Sequence, residues 1–272
     1  MSNTCFFIMS RIDTTFQQLA GQTALISYIT AGDPHPKETV TLMHALADSG
    51  SDIIELGVPF TDPMADGPVI QAAAERALQH NTSLNDVLAM VAEFRRRNTT
   101  TPVVLMGYLN PVHRMGYAAF AEAAAQAGVD GVLTVDCPAE SIDPLYEPLK
   151  AQGVDCIFLV APTTTDERVR AIAAKAGGFV YYVSLKGVTG SSQLDTDAVS
   201  RKIEHLRQFI RLPIGVGFGI KDAASARAVG AVADAVIVGS RLVQAVADHP
   251  ARAGDALTDV VRELKQAVTS AA

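Results

Sequence analysis

The sequence lacks the features that would place a protein in a membrane or outside the cell. No run of apolar residues approaches the ~18 that a membrane-spanning helix needs, although 49% of the 272 residues are hydrophobic. The apolar patch near the N-terminus is shorter than a signal-peptide core and follows no basic residue. Cys5, Cys137 and Cys156 are an odd number without CxxC spacing, which favours buried free thiols. We therefore expect a cytoplasmic protein.

Basic residues and local metal motifs are also scarce. The chain has 22 Lys and Arg against 29 Asp and Glu, a formal net charge of -7, which argues against sequence-independent binding to nucleic-acid phosphates. The arginines at 95–97 close a helical pattern, where basic side chains suit the helix C-terminus. The six histidines form no HxxxH or HExxH motif, so we expect no metal site built from ligands close in sequence.

Eight short apolar runs, rich in Val and Ile, alternate with alanine-rich amphipathic segments along the chain. The runs mostly lack polar alternation, as do strands that are covered by helices on both faces. The predicted strands are 24–29, 52–56, 102–106, 131–135, 155–160, 179–183, 213–216 and 235–239.

A weak internal repeat supports this reading. Four segments run from a helix end through a glycine, a short gap and an aspartate into an apolar strand. Their glycines are Gly50, Gly128, Gly153 and Gly230, and glycine suits the left-handed position just past a helix. Successive βα units leave such a pattern.

Eight units favour one α/β domain, a (β/α)8 TIM barrel, over an open doubly wound sheet, which usually has five or six strands. No Pro/Ser-rich linker or break in composition divides the chain. We expect residues 1–9 to form a disordered N-terminal extension and residues 10–272 to form the barrel.

Glu55 stands near the end of the second predicted strand, and barrel enzymes place their active sites at such ends. Side chains alternate along a strand, so Glu55 shares a face with Ile53. If that face points into the barrel, the carboxyl lies in an apolar mouth, where burial raises its pKa and suits proton transfer near neutral pH. A structural acid paired with Lys or Arg is the alternative.

Asp66 follows in the loop, within Ala-Asp-Gly-Pro. Aspartate before glycine is common in turns. Pro59, Pro63 and Pro68 restrict the loop, however, and this lowers the entropic cost of presenting a carboxylate in one place. Two acids at the mouth of the barrel would have different roles: one would transfer protons and the other would bind a polar group of a substrate.

Glycine-rich segments follow the sixth, seventh and eighth predicted strands. Barrels often bind phosphate with these late loops, and helices starting at Asp222 and Ser240 would aim N–H groups at an anion. Gly217, Gly219, Gly239 and Ser240 are the candidates, with ordinary loop glycines as the alternative. GVGFGI does not match the dinucleotide motif G-x-G-x-x-G, and no G-x-S-x-G nucleophile elbow occurs.

With these residues assembled, the chain resembles the α subunit family of tryptophan synthase from about Phe16 to Ala267. The motifs are ITAGDP (29–34), ELGVPFTDPMADGP (55–68), MGYLNP (106–111), SLKGVTG (184–190), GFGI (217–220) and VGS (238–240). The resemblance implies a (β/α)8 lyase that splits indole-3-glycerol phosphate into indole and glyceraldehyde 3-phosphate by reverse aldol cleavage.

The resemblance also implies roles for single residues. Glu55 falls on the acid–base glutamate and Asp66 on the aspartate that binds the indole N–H. Thr189 matches a threonine of a mobile loop. The phosphate-binding positions fall on Gly190, Gly219, Gly239 and Ser240. The candidates for the substrate pocket are Tyr28, Met106, Tyr108, Leu133, Leu159, Tyr181 and Ile237.

Family members work as αββα heterotetramers, so the resemblance implies a β subunit as partner. Indole passes through a tunnel to that subunit, which holds pyridoxal phosphate, whereas the α chain carries no cofactor. The loop containing Asp62 and the MGYLNP region would face the partner.

Two alternatives stay open. A related phosphate-binding barrel, an isomerase or synthase of the same pathway, should have a lysine or cysteine as its acid–base group. A non-catalytic binding or activating subunit would not need both Glu55 and Asp66.

Overall fold

Eight parallel strands close into a barrel in the computed structural model, which describes residues 9–184, 196–217 and 219–270. Each strand pairs with the next, and the eighth pairs with the first. The strands are β1 (Ala24–Thr30), β2 (Ile53–Gly57), β3 (Val103–Gly107), β4 (Gly131–Thr134), β5 (Asp155–Val160), β6 (Val180–Val183), β7 (Ile214–Gly217) and β8 (Ala235–Val238). The predicted barrel is confirmed, and each predicted strand end lies within one residue of the observed end.

Helices surround the barrel in the ranges that the structure describes. They are α1 (Arg11–Leu19), α2 (Thr39–Ser49), α3 (Pro68–Leu78), α4 (Leu84–Arg95), α5 (Leu109–Met115), α6 (Tyr117–Ala127), α7 (Asp143–Ala151), α8 (Asp166–Lys175), α9 (Thr196–Leu206), α10 (Ala223–Gly230), α11 (Ser240–Asp248) and α12 (Ala253–Thr269), with a 3-10 turn at Pro250–Arg252. Among these described helices, none is both long enough and apolar enough to cross a membrane.

Alternation along the strands produces two hydrophobic cores. Side chains such as Ile26, Ile53 and Val104 fill the inside of the barrel, while Leu25 and Ile54 face outwards and pack with the helices. Ile12 of α1 belongs to the inner core and is fully buried. The two cores fix the strands on both faces, so the strand ends hold their side chains in defined positions at the mouth.

The repeated aspartates of the sequence tie the strands together at the N-terminal end of the barrel. In three of the four repeats the carboxylate accepts a hydrogen bond from an N–H group of the preceding strand and also binds a basic side chain. The sets are Asp52 with Leu25 (2.6 Å) and Lys265, Asp130 with Val103 (2.7 Å) and Arg95, and Asp234 with Ile214 (2.8 Å) and Arg207. In the fourth repeat Asp155 has no such cation within the described residues, and its Oδ2 has no hydrogen-bond partner.

Candidate active site

A cavity of about 300 Å³ opens at the C-terminal ends of the strands. Its volume lies in the range of small-molecule sites. Apolar side chains dominate the wall, and the polar groups come from Glu55, Asp66, Lys221 and Ser240 together with two tyrosines. The apolar lining consists of Ala65, Ile70, Met106, Val135, Leu159, Val183, Ile220 and Ile237.

Glu55 occupies the inner face of β2, as alternation predicts. Its neighbours across the sheet are Tyr28 on β1 and Val104 on β3. The side chain is 1% exposed, and no residue that the structure describes bonds to its Oε1 atom. Burial raises the pKa of Glu55 to about 8. The alternative of a structural acid paired with Lys or Arg therefore finds no partner in the described residues.

Two tyrosines flank Glu55, each lying over a glycine of the next strand. A methyl group built on Gly57 would lie 2.1 Å from the Tyr28 hydroxyl, and one on Gly217 would lie 2.1 Å from the Tyr181 hydroxyl. Any larger residue at either glycine would displace its tyrosine from the cavity wall. Burial raises the pKa of both tyrosines well above the ordinary value, so they stay neutral beside Glu55.

Asp66 lies in the β2–α3 loop on another side of the cavity. Its N–H donates to the carbonyl of Pro63 (3.0 Å), and its own carbonyl accepts from the Gln71 side chain (2.7 Å). The Tyr108 hydroxyl donates to Asp66 Oδ2 (3.0 Å). Burial raises the pKa of Asp66, and the hydrogen bond from Tyr108 lowers it in part. The loop is thus held by its own backbone turns, with the carboxylate facing the cavity.

The late loops supply the remaining wall with Gly219, Gly239 and Ser240. Gly219 has a φ of +84°, a conformation that favours glycine. Gly239 is the N-cap of α11 and makes no side-chain capping bond, and no described residue accepts a hydrogen bond from the N–H groups of Ser240 and Arg241. An anion placed there would accept hydrogen bonds from them.

The prediction that the helix starting near Asp222 also offers free N–H groups is wrong. The Asp222 carboxylate caps α10 itself by accepting from Ser225 N–H at 2.8 Å. The N–H groups of Lys221 and Asp222 donate to the Ser225 hydroxyl. The N-terminus of α10 is therefore satisfied within the chain.

The cavity collects many of the residues singled out in the sequence, but two pocket candidates do not line it. Leu133 lies deeper, in the inner core, because the chain reaches the cavity only two residues later, at Val135, just after the end of β4. Tyr108 lies behind Asp66 rather than in the wall. The candidates in the wall are Tyr28, Met106, Leu159, Tyr181 and Ile237. Thr189 and Gly190 lie outside the described residues, and Asp62 is exposed on the loop surface, outside the lining.

Lys221 is a cavity residue that the sequence reasoning missed. It follows the GFGI segment directly and lines the cavity together with Gly219. A cation next to the loops expected to bind phosphate is the signal that would have found it.

Comparisons with known proteins agree with this geometry. The family model described as tryptophan synthase alpha chain matches residues 16–271. Tryptophan synthase alpha chains from Neisseria meningitidis serogroup B and Chromobacterium violaceum are each 64% identical, over 96% of this chain and 100% of theirs. The crystal structure of tryptophan synthase subunit alpha from Legionella pneumophila superposes with a TM-score of 0.91 at 42% identity, covering 96% of this chain and 99% of that one. The chain therefore belongs to the tryptophan synthase alpha chain family, and it is a lyase that cleaves indole-3-glycerol phosphate into indole and glyceraldehyde 3-phosphate.

Proposed function

We propose that Glu55 is the acid–base group of this cleavage and that Asp66 binds the indole N–H. The observation that carries the proposal is the buried carboxyl of Glu55 in an apolar cavity, whose Oε1 atom has no hydrogen-bond partner among the described residues. With a pKa of about 8, Glu55 is largely protonated at neutral pH and can act as an acid. Burial raises the pKa of Asp66, and the hydrogen bond from Tyr108 opposes that rise and favours the carboxylate form that the proposed role needs.

The two carboxyls then perform complementary steps. Glu55 donates its proton to the ring carbon that carries the glycerol chain, and the Asp66 carboxylate stabilises the positive charge that develops on the ring N–H. Glu55, now ionised, accepts the proton of the adjacent chain hydroxyl. The electrons of that O–H bond form the aldehyde, and those of the broken carbon–carbon bond return to the ring. Indole and glyceraldehyde 3-phosphate leave, and Glu55 is protonated again.

We assign the phosphate group of the substrate to the late loops. Gly219, Gly239 and Ser240 bring backbone N–H groups to that end of the cavity, and Lys221 adds a positive charge. Gly190 is proposed as a further phosphate residue, and Thr189 as part of the closing loop, on the family resemblance alone. These contacts lie away from the breaking bond and orient the substrate.

The pH dependence of kcat/KM for indole release tests the two roles together. The rate should rise as Asp66 ionises and fall as the pH passes about 8, where Glu55 loses its proton. Asp66→Asn should lower kcat/KM strongly and leave the fall near pH 8 in place. A rate that stays constant from about pH 7 to 9.5 would contradict the acid role of Glu55.

We also propose that the chain forms an αββα heterotetramer with a tryptophan synthase β subunit in the cytoplasm and passes indole to it. In this family pyridoxal phosphate belongs to the β subunit, and the α chain carries no cofactor. The Asp62 loop supports a partner surface, because Met64 beside it is 80% exposed. Burial of Cys137 and Cys156 as free thiols fits a reducing compartment.

Mixing the chain with the β subunit tests the assembly by co-elution and by the rate of indole release. Met64→Ser should weaken co-elution, whereas Met9→Ser should not, because Met9 is an exposed methionine outside this loop. No co-elution and no rate increase with the wild-type chain would indicate a lyase that acts alone.

A further inference from the structure

Tyr108 joins two loops at the mouth of the barrel. It follows β3 directly, and its side chain is 4% exposed. The Tyr108 hydroxyl accepts a hydrogen bond from Ala65 N–H (3.0 Å) and donates one to Asp66 Oδ2 (3.0 Å). A single hydroxyl therefore binds both the backbone and the carboxylate of the β2–α3 loop.

Tyr108 is itself held in place from two sides. Its ring stacks on Phe60 with the centroids 5.1 Å apart and the planes at 27°. The N–H of Leu109 donates to Asp136 Oδ1 (2.8 Å), which fixes the backbone just after Tyr108. Burial raises the pKa of Tyr108 to about 12, so the hydroxyl keeps its proton at neutral pH and remains a donor. The donor is thus positioned before any substrate binds.

The geometry points to Tyr108 as a positioning residue that orients the Asp66 carboxylate towards the substrate. This inference rests on the proposed role of Asp66. Oδ2 is engaged by Tyr108, and no residue that the structure describes bonds to Oδ1, which leaves that oxygen for a donor in the cavity. Without the hydroxyl, the carboxylate would rotate about its side-chain torsions and lose alignment.

The same hydrogen bond affects the ionisation of Asp66. Burial raises the pKa of Asp66, and the bond from Tyr108 opposes that rise. The other titratable groups in the wall of the cavity are Glu55, Lys221 and the neutral tyrosines Tyr28 and Tyr181. Removing the Tyr108 hydroxyl leaves these groups unchanged, so the pKa of Asp66 should increase.

Tyr108→Phe tests the inference on the isolated chain. We expect kcat/KM for indole release to fall roughly ten- to hundredfold, the range for losing one hydrogen bond to a charged group. The acidic limb of the pH profile should move to higher pH, while the fall near pH 8 assigned to Glu55 stays. The affinity for glycerol 3-phosphate should not change, because the substitution leaves the late loops proposed to bind phosphate unaltered. Tyr117→Phe, which removes a hydroxyl bonded to His113 outside the cavity, is the matched control and should behave as the wild type.

Two further measurements separate orientation from a general structural effect. In the Asp66→Asn background, Tyr108→Phe should lower kcat/KM for indole release much less than it does in the wild-type chain. The reason is that both substitutions remove the same interaction. Replacing Tyr108 with 3-fluorotyrosine keeps the ring and makes the phenol a stronger donor, so the acidic limb should move to lower pH.

The inference is wrong if Tyr108→Phe leaves kcat/KM within twofold of the wild type. It is also wrong if the rate falls without a shift of the acidic limb, or falls equally in the Asp66→Asn background. The substrate phosphate titrates identically in all variants, so it does not produce a shift between them. Retained activity in Asp66→Asn alone would instead overturn the proposed role of Asp66, and a carbon-13 NMR titration of Asp66 in Tyr108→Phe would still measure the contact.

Discussion

Replacing Glu55 with glutamine removes a carboxyl that folding transfers from water into an apolar cavity, and the stability of the chain should respond to pH accordingly. The pKa of Glu55 rises from an ordinary 4.5 to about 8 because the side chain is buried. The folded chain therefore holds a proton between these values that the unfolded chain has released. Stability is greatest below the unfolded pKa and falls as the pH increases through the folded one, by about 1.4 kcal/mol for each pH unit between them.

The magnitude follows from the two pKa values. The penalty of keeping Glu55 buried is about 1 kcal/mol near pH 5, about 3 kcal/mol near pH 7 and approaches about 5 kcal/mol near pH 9. The increase above pH 8 is small, because the folded carboxyl then ionises as well. Burying a glutamine side chain at this position has a free-energy cost that does not depend on pH. The free energy of unfolding of Glu55→Gln minus that of the wild type should therefore increase by about 2.5 kcal/mol between about pH 5 and 7 and by only about 1.4 kcal/mol between about pH 7 and 9.

Urea unfolding at these three pH values measures the difference, since all other titrating groups are common to both chains. Glu93→Gln, which alters an exposed glutamate on α4 that pairs with Arg96, is the matched control. Its free energy of unfolding minus that of the wild type should be the same at all three pH values. A difference that does not change with pH for Glu55→Gln as well would refute the reasoning that burial holds a proton on this carboxyl.

Three further outcomes follow from the contacts. Gly57→Ala places a methyl group 2.1 Å from the Tyr28 hydroxyl. It should lower the free energy of unfolding in urea by about 1–3 kcal/mol and reduce kcat/KM. An unchanged kcat/KM would contradict the packing of Tyr28 against Gly57. Lys221→Ala should weaken glycerol 3-phosphate binding by roughly threefold to tenfold, and the effect should be smaller at high salt because Lys221 is exposed. Lys150, a lysine of α7 outside the cavity, provides the control. An equal loss of affinity in Lys150→Ala would show a nonspecific charge effect. Burial raises the pKa of Asp155 to about 6, so the contribution of Asp155 to stability should fall as the pH rises from about 4 to 6. Asp155→Asn should gain about 2 kcal/mol in free energy of unfolding relative to the wild type between about pH 4 and a pH above about 6. A difference between the two chains that is equal at both pH values would count against this.

The strands were predictable because each is a short apolar run buried on both faces. Even so, β2 begins at Ile53 rather than at Asp52, whose carboxylate instead bonds to Leu25 N–H. β8 ends before Gly239, because that residue caps α11. The start of β2 depends on a side-chain hydrogen bond to a distant strand and the end of β8 on where the next helix begins, and local hydrophobicity encodes neither.

The inward orientation of Glu55 also follows from local alternation, which is why the sequence predicted it. The placements of Tyr108 and Leu133 did not follow. Tyr108 meets Asp66 through two loops that are 42 residues apart in sequence, and the depth of Leu133 depends on where β4 meets the cavity. The internal cap of α10 by Asp222 was missed because the same pattern fits an open helix N-terminus until the Ser225 bonds are known.

Indole release by Glu55→Gln tests the acid–base role of Glu55 most directly. The variant should fold, bind glycerol 3-phosphate within about twofold of the wild type and release indole roughly a thousandfold more slowly, because a glutamine amide neither donates nor accepts the transferred proton. Indole release within about tenfold of the wild-type rate would contradict the role of Glu55 in proton transfer.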